Sequence, residues 1–400
     1  MPSTLTYEQL QAACGPGGSS ALVSTTELMP AGGPHAGVAP ARYVRGDNAV
    51  FAYETRYVDG EAVTVAVLDS KQSQLNRVEA AILQDIADGH EILGKTPRIS
   101  VSYQGGEVEF TDLELPHRAF DGHIRAGTVD GQRVTAHPDY RAARDASPRN
   151  ARALLKMSPG SLVFGAWDST RKAHQGRYRS ALVGEIIGVL ANQSDTGRKE
   201  SLRGGARVDP VGMSVQLKGD DLLAIVNLQR DELSPKLVEK IEKAAKKPKA
   251  TSASILGLGG IPPALDALGV VSCRRIIRTH VLSFAALRQL RFGGDAEANV
   301  ACRALLGAYA LAGLARADSE LYLRANCDLV ENSPAKVSLD RRSGEFEEIA
   351  PLSIAAADEL LEEALSAAQS RAGISWEGRV FKVKGNDEIF AAASADADEE

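Results

Sequence analysis

The chain has 400 residues, with 46 Lys and Arg against 52 Asp and Glu and a net charge of −6. An acidic total excludes a generally basic nucleic-acid binder, so any polyanion site has to be local. Apolar content of 44% suits a globular chain of one large or two ordinary domains, and the four scattered cysteines have neither zinc-ligand nor disulfide-framework spacing.

Residues 1–40 read as one short helix, Thr6 to Ala13, followed by loops rich in Gly, Pro and Ser. Ala49 to Tyr57 and Ala62 to Leu68 are strand-like, and Asp59-Gly60 between them is a two-residue hairpin turn. Val63, Val65 and Val67 then lead straight into an amphipathic helix with Leu75, Val78, Ile82 and Ile86 on its apolar face. Glu79 falls inside that stripe and requires a buried partner. The junction Asp69 to Arg77 is polar at every residue but Leu75. It reads either as a phosphate-facing site on free backbone N–H groups, or as a capped helix with a solvated first turn. Arg98 to Tyr103 and Glu107 to Phe110 form a second hairpin around Gly105-Gly106.

From 111 to 250 the pattern loosens. Arg149 to Met157 is helical by composition, Ser161 to Trp167 strand-like, and Arg177 to Leu190 amphipathic at first and apolar at its end. Trp167 either stacks on a base or packs in the core beside Leu162, Val163 and Phe164. Ser234 caps a Lys-rich helix with Pro235 in its first turn. Beyond a Gly257 to Gly260 loop, Arg274 to Ser283 is a strand, Phe284 to Phe292 and Ala296 to Ala315 are helical, and Leu321 to Leu329 is a strand. Ile354 to Arg371 is an acidic helix, Arg379 to Val383 a strand, and 386–400 an acidic, disordered tail. The fold class is α+β, of the ferredoxin or RNA-recognition type, with core segments 43–110 and 255–385 around an insertion at 111–254.

Charge is segregated. Residues 141–207 carry 13 Arg or Lys against 5 Asp or Glu, a local +8 that leaves −14 for the remainder. Arg171, Arg177, Arg179, Arg198, Arg203 and Arg207 suit bidentate phosphate contacts. The same charge could instead pair with the acidic tail or a neighbouring copy. His117, Asp121, His123 and Asp168 superficially suggest metal ligands. Arg118 and Arg125 interleave with them and no H-E-x-x-H or Walker motif is present, so no metal and no cofactor are expected. No signal peptide or membrane span is read, and a reducing cytoplasm is the expected compartment.

These segments resemble one family. LDSKQSQLNRVE (Leu68 to Glu79) and LELPHRAFDGHIR (Leu113 to Arg125) are similar to two of its motifs. SLVFGAWDS, GRYRSALVGEIIG, GLGGIPP and HVLSFAALRQLRF follow in its order, over about residues 63–330. The family is the backbone subunit of type I CRISPR effector complexes (Cascade), subtype U or G, in the RAMP superfamily. Gly122 stands where the family has Ala, and Gly184 where it has Ser.

The resemblance implies a modified RNA-recognition palm with finger and thumb insertions. It implies a non-catalytic protein whose copies line a guide RNA (crRNA) as a filament and present it to target DNA. Other effector subunits and a recruited helicase-nuclease are the further partners. RNA-binding residues are then expected at Gln72, Ser73, Gln74, Asn76, Arg77, His117, Arg118, Arg125, Trp167, Ser169, Arg177, Arg179 and Arg203. The competing class is a metal-dependent RNA-cleaving RAMP protein using Asp121 or Asp168.

Overall fold

A computed structural model describes residues 2–46, 48–173, 175–194, 203–206, 215–247, 249–259, 263–266 and 268–396. The fold is α+β. The chain divides into two compact units: Met1–Arg198 with Val271–Ala391, and Lys199–Val270 with Ala392–Glu400.

The larger unit is built on an eight-stranded antiparallel sheet. Its order is Glu345–Ile349, Lys336–Arg342, Ala21–Pro30, Cys273–Ser283, Leu182–Leu190, Glu61–Asp69, Tyr53–Val58, with Leu329–Glu331 also paired to Ala21–Pro30. Four adjacent strands, Lys336–Arg342, Ala21–Pro30, Cys273–Ser283 and Leu182–Leu190, lie in the spatial order 4-1-3-2 of a β-α-β-β-α-β fold when numbered in chain order from Ala21–Pro30. Helix Lys71–Ala87 lies in the first crossover and helix Ala296–Glu320 in the second.

The Asp59-Gly60 turn is as expected: φ is +52° and +82°, the two left-handed positions of a type I′ hairpin. The strand Glu61–Asp69 is buried over its second half, and Leu75, Val78 and Ile82 are buried on the helix that follows. Helix Ala296–Glu320 is buried along most of its length, mainly through apolar residues, with Asn299, Arg303 and Arg316 as buried polar members. By length and hydropathy it could cross a bilayer, but 83% of its most apolar window is buried in the fold. At Gly313 a β-carbon would stand 2.6 Å from Ile82 Cδ1, so this glycine lets the two crossover helices touch.

Several expectations are corrected. Residues 1–40 are not loops after their first helix, because Ala21–Pro30 is a central strand with strictly alternating burial. Residues Ser161 to Trp167 are not a strand. Pro159 opens a short helix, Pro159–Val163, and only Ala166–Trp167 is extended. Leu321 to Leu329 is not a strand either, since Leu321 closes the long helix at φ +44° and Asn326 is left-handed as well. Residues 387–396 of the expected disordered tail form a helix, Asp387–Asp396, whose Phe390 stacks on Tyr103 at 5.1 Å. Residues 397–400 lie outside the described residues.

Gly184 sits opposite His280 in the pairing of Leu182–Leu190 with Cys273–Ser283. A β-carbon there would stand 2.1 Å from the His280 ring, which is 3% exposed. The serine that the resemblance leads one to expect would therefore displace His280, so this departure has a structural cause. At Gly122 the nearest atom is 3.8 Å away and Ala would fit.

The smaller unit has its own core of Leu222, Val226, Val238, Ile241 and Ala253. Helices Gly219–Gln229 and Pro235–Ala245 supply most of it. Ser234 caps the second through the Leu237 N–H, as its sequence predicts.

Candidate nucleic-acid interface

The polar junction at 69–77 is a cap whose side chains are largely turned inward. Asp69 ends its strand with a fully buried carboxylate. That carboxylate accepts from Ser73 Oγ at 2.9 Å, Gln74 Nε2 at 2.6 Å and Arg77 Nε at 3.1 Å, and from Arg324 across the fold. Burial alone would raise the Asp69 carboxyl. The bonds from Arg77, Gln74 and Ser73, with the Arg77 charge, hold it below its ordinary value. Ser70 caps the helix through the Ser73 N–H at 3.3 Å. Gln74 is buried, Ser73 and Arg77 are half-buried, and Gln72 and Asn76 are exposed.

From Gln74 the network runs deeper. Its Oε1 lies 3.1 Å from His280 Nε2, and His280 Nδ1 lies 3.6 Å from Asp318. Burial, assisted by the Arg278 charge, pushes the His280 pKa down to about 3, so the ring is neutral near pH 7. Arg278 pairs instead with Glu331 at 2.7 Å and Asp318 at 3.3 Å.

Glu79 finds the partner that its place in the apolar stripe requires. Arg118 grips it with two donors, Nη2 to Oε2 at 2.7 Å and Nε to Oε1 at 2.5 Å. The remaining Arg118 nitrogen donates to the Gly165 carbonyl at 2.8 Å, and the guanidinium lies over Phe164 at 5.8 Å. Burial pushes Glu79 up to about 7 against the pull of Arg118. Arg118 thus fastens helix Lys71–Ala87 to the turn at 117–125 and to the segment leading to Trp167.

Around that turn, Asp121 caps the short helix Gly122–Arg125, accepting from the backbone N–H groups of His123 at 2.9 Å and His117 at 3.1 Å. Asp168 is buried against Arg144 at 2.7 Å. His123 Nδ1 lies 2.5 Å from the Tyr103 hydroxyl, and His117 is exposed. Among the described residues no group of three or more His, Cys, Asp or Glu is placed to hold a metal ion.

Three exposed cations, Lys172, Arg177 and Arg179, lie on or beside a two-stranded ribbon, Ala166–Trp167 paired with Arg177–Tyr178. Its inner face carries Tyr178, stacked with Phe120 at 6.3 Å. Its outer face carries Trp167, 48% exposed, with the Arg177 guanidinium 5.1 Å from the ring centre. Core packing, one of the two readings open for Trp167, is therefore not its role: strand alternation turns Tyr178 in and Trp167 out. Ser169, Lys172 and Arg179 are exposed beside them. Arg125 braces the ribbon loop, donating to the Phe120 carbonyl at 2.8 Å and to Thr170 Oγ1 at 2.7 Å. Arg171 is partly spent on Asp145.

Residues 22–193 match the model of a family described as CRISPR-associated protein GSU0053. Over this stretch the chain is similar to CRISPR-associated proteins. A comparison with curated proteins finds no match.

The matched stretch contains the 69–77 junction, the 117–125 turn and the Trp167 ribbon, so most of the expected site residues fall within it. Arg203 does not. It lies in the smaller unit, on the strand Arg203–Gly205 paired with Ala264–Asp266, and only its backbone is described. Arg198, Arg207 and Gly260 to Pro262 lie outside the described residues. One exposed residue escaped the sequence reading: Tyr322, 80% exposed just past the long helix. Reading 321–329 as a strand hid it, because a tyrosine between two leucines looks like ordinary strand alternation.

Proposed function

We propose that this chain is a non-catalytic, RNA-binding backbone subunit of a CRISPR effector complex, of the type I subtype U or G kind. The observation that carries the reading is the half-exposed Trp167 beneath Arg177 on a cationic ribbon, inside the stretch similar to CRISPR-associated proteins. An aromatic ring beside several cations is what holds single strands without reading their sequence: bases stack and phosphates pair. A guide RNA is the ligand of this reading, and target DNA reaches the protein through the guide. The partners are further copies of the chain, other effector subunits and a helicase-nuclease. The absence of catalysis accords with Asp121 being a helix cap and Asp168 being committed to Arg144.

A guide offers identical successive sites, so copies would stack head to tail in an open filament. Of the acidic helix residues available for such a contact, Asp358 is spent on Arg316 at 2.9 Å and on His90 at 3.1 Å. Glu359, Glu362 and Glu363 remain exposed. Surface pairs of this kind contribute only about 0–1 kcal/mol each, so RNA has to supply the effective concentration of neighbours. Sedimentation velocity with RNAs of increasing length is expected to show copies added stepwise. One copy per RNA at every length rules the filament out.

A further inference from the structure

We infer that the groove between helix Lys71–Ala87 and the end of helix Ala296–Glu320 is a site for a nucleobase of single-stranded RNA, with Tyr322 as its stacking platform. The inference rests on the RNA-binding reading above and assigns a different part of the strand to a different part of the surface. The groove has a volume of about 420 Å³, and its lining includes Ser73, Asn76, Arg77, Gln84, Glu320 and Tyr322. That volume falls within the roughly 300–1,000 Å³ of pockets that take small organic groups.

Tyr322 is held in its exposed position by the backbone. The long helix stops at Leu321, whose φ of +44° is a conformation that L residues with side chains seldom adopt. Arg77 then donates from Nη1 to the Tyr322 carbonyl, which fixes the turn that throws the ring outward. Tyr322 is 80% exposed as a residue, an expensive place for an aromatic surface without a ligand.

The charges favour a base over a phosphate. Arg77, the cation among the six groove residues named, is held by the buried Asp69 carboxylate, which it shares with Arg324, so its charge is partly offset there. Glu320 is exposed in the same lining and would repel a phosphate. What remains is uncharged or accepting: the Ser73 hydroxyl, the Asn76 and Gln84 amides and the Glu320 carboxylate. These suit the ring nitrogens and exocyclic amino groups of a base stacked on Tyr322. The phosphates are then left to the cationic ribbon.

The test compares oligoadenylate with an abasic ribose-phosphate oligomer of the same length. Wild type, Tyr322→Ala and Tyr322→Phe are titrated with each, and a thermal melt confirms that the variants are folded. The Arg77 bond survives in both variants because it goes to the backbone. Tyr322→Ala is expected to bind oligoadenylate about 5- to 150-fold more weakly, with the salt slope and the abasic affinity unchanged, and Tyr322→Phe to bind like wild type. Wild-type binding of oligoadenylate with no loss in Tyr322→Ala, or an equal loss on the abasic strand, overturns the base site alone. No wild-type binding of either oligomer overturns the RNA-binding reading and the base site with it.

Discussion

Arg118→Ala is expected to destabilise the fold by about 3–5 kcal/mol, the range for removing one partner of a buried ion pair. The Glu79 side chain is 3% exposed and would lose both of its charge-assisted donors. The Gly165 carbonyl would lose a donor as well. The defect should depend on pH. In the native fold Glu79 is already raised from 4.5 to about 7, so native chains hold a proton there that unfolded chains have lost. A raised acid of this kind stabilises below its unfolded value and loses that contribution as pH rises through its folded one. Without Arg118 the value climbs further, so the variant should melt closest to wild type near pH 5 and furthest from it near pH 8. Replacing both partners, as in Glu79→Leu with Arg118→Met, should recover most of the loss because no buried charge is stranded. An Arg118→Ala variant that melts like wild type yet binds RNA poorly would place this guanidinium on the RNA instead.

On the ribbon, Trp167→Ala and Arg177→Gln are expected to weaken RNA binding in separable ways. Losing a stacking surface costs about 1–3 kcal/mol per base, or about 5- to 150-fold in affinity, and leaves the number of phosphate contacts unchanged. Losing one phosphate contact lowers the slope of log affinity against log salt by about 0.7 for a single strand. Trp167→Ala should therefore shift the affinity at constant slope, and Arg177→Gln should flatten the slope. Arg177 and Trp167 touch, so the double variant should lose less than the sum of the two. Neither residue is buried, so both variants should melt like wild type. Wild-type affinity in both would remove the ribbon from the interface.

What was legible in the sequence was local. The Asp59-Gly60 hairpin, the Ser234 cap and the unmet need of Glu79 each depend on a few neighbouring residues. The strand Ala21–Pro30 was hidden because two of its inward positions are polar. Ser24 and Thr26 are buried, opposite His280 and Arg278, and Thr26 accepts a hydrogen bond from Arg278. A buried polar network thus erased the apolar alternation by which a strand is recognised. The direction of the 69–77 side chains was hidden for a related reason. Arg324, Tyr322 and His280, which help to turn Asp69, Arg77 and Gln74 inward, come from distant parts of the chain. The charge excess in 141–207 located the ribbon. Composition alone could not say that Arg144 and Arg171 are spent on Asp168 and Asp145 while Arg177 and Arg179 face outward.

The most direct test of the central claim is the affinity of the purified chain for single-stranded RNA measured across a range of salt concentrations. If about five phosphates are neutralised, log affinity should fall with log salt at a slope near −3.5, about a hundredfold between 50 and 200 mM, with little dependence on base sequence. A flat response to salt, or no binding at low salt, would contradict the account.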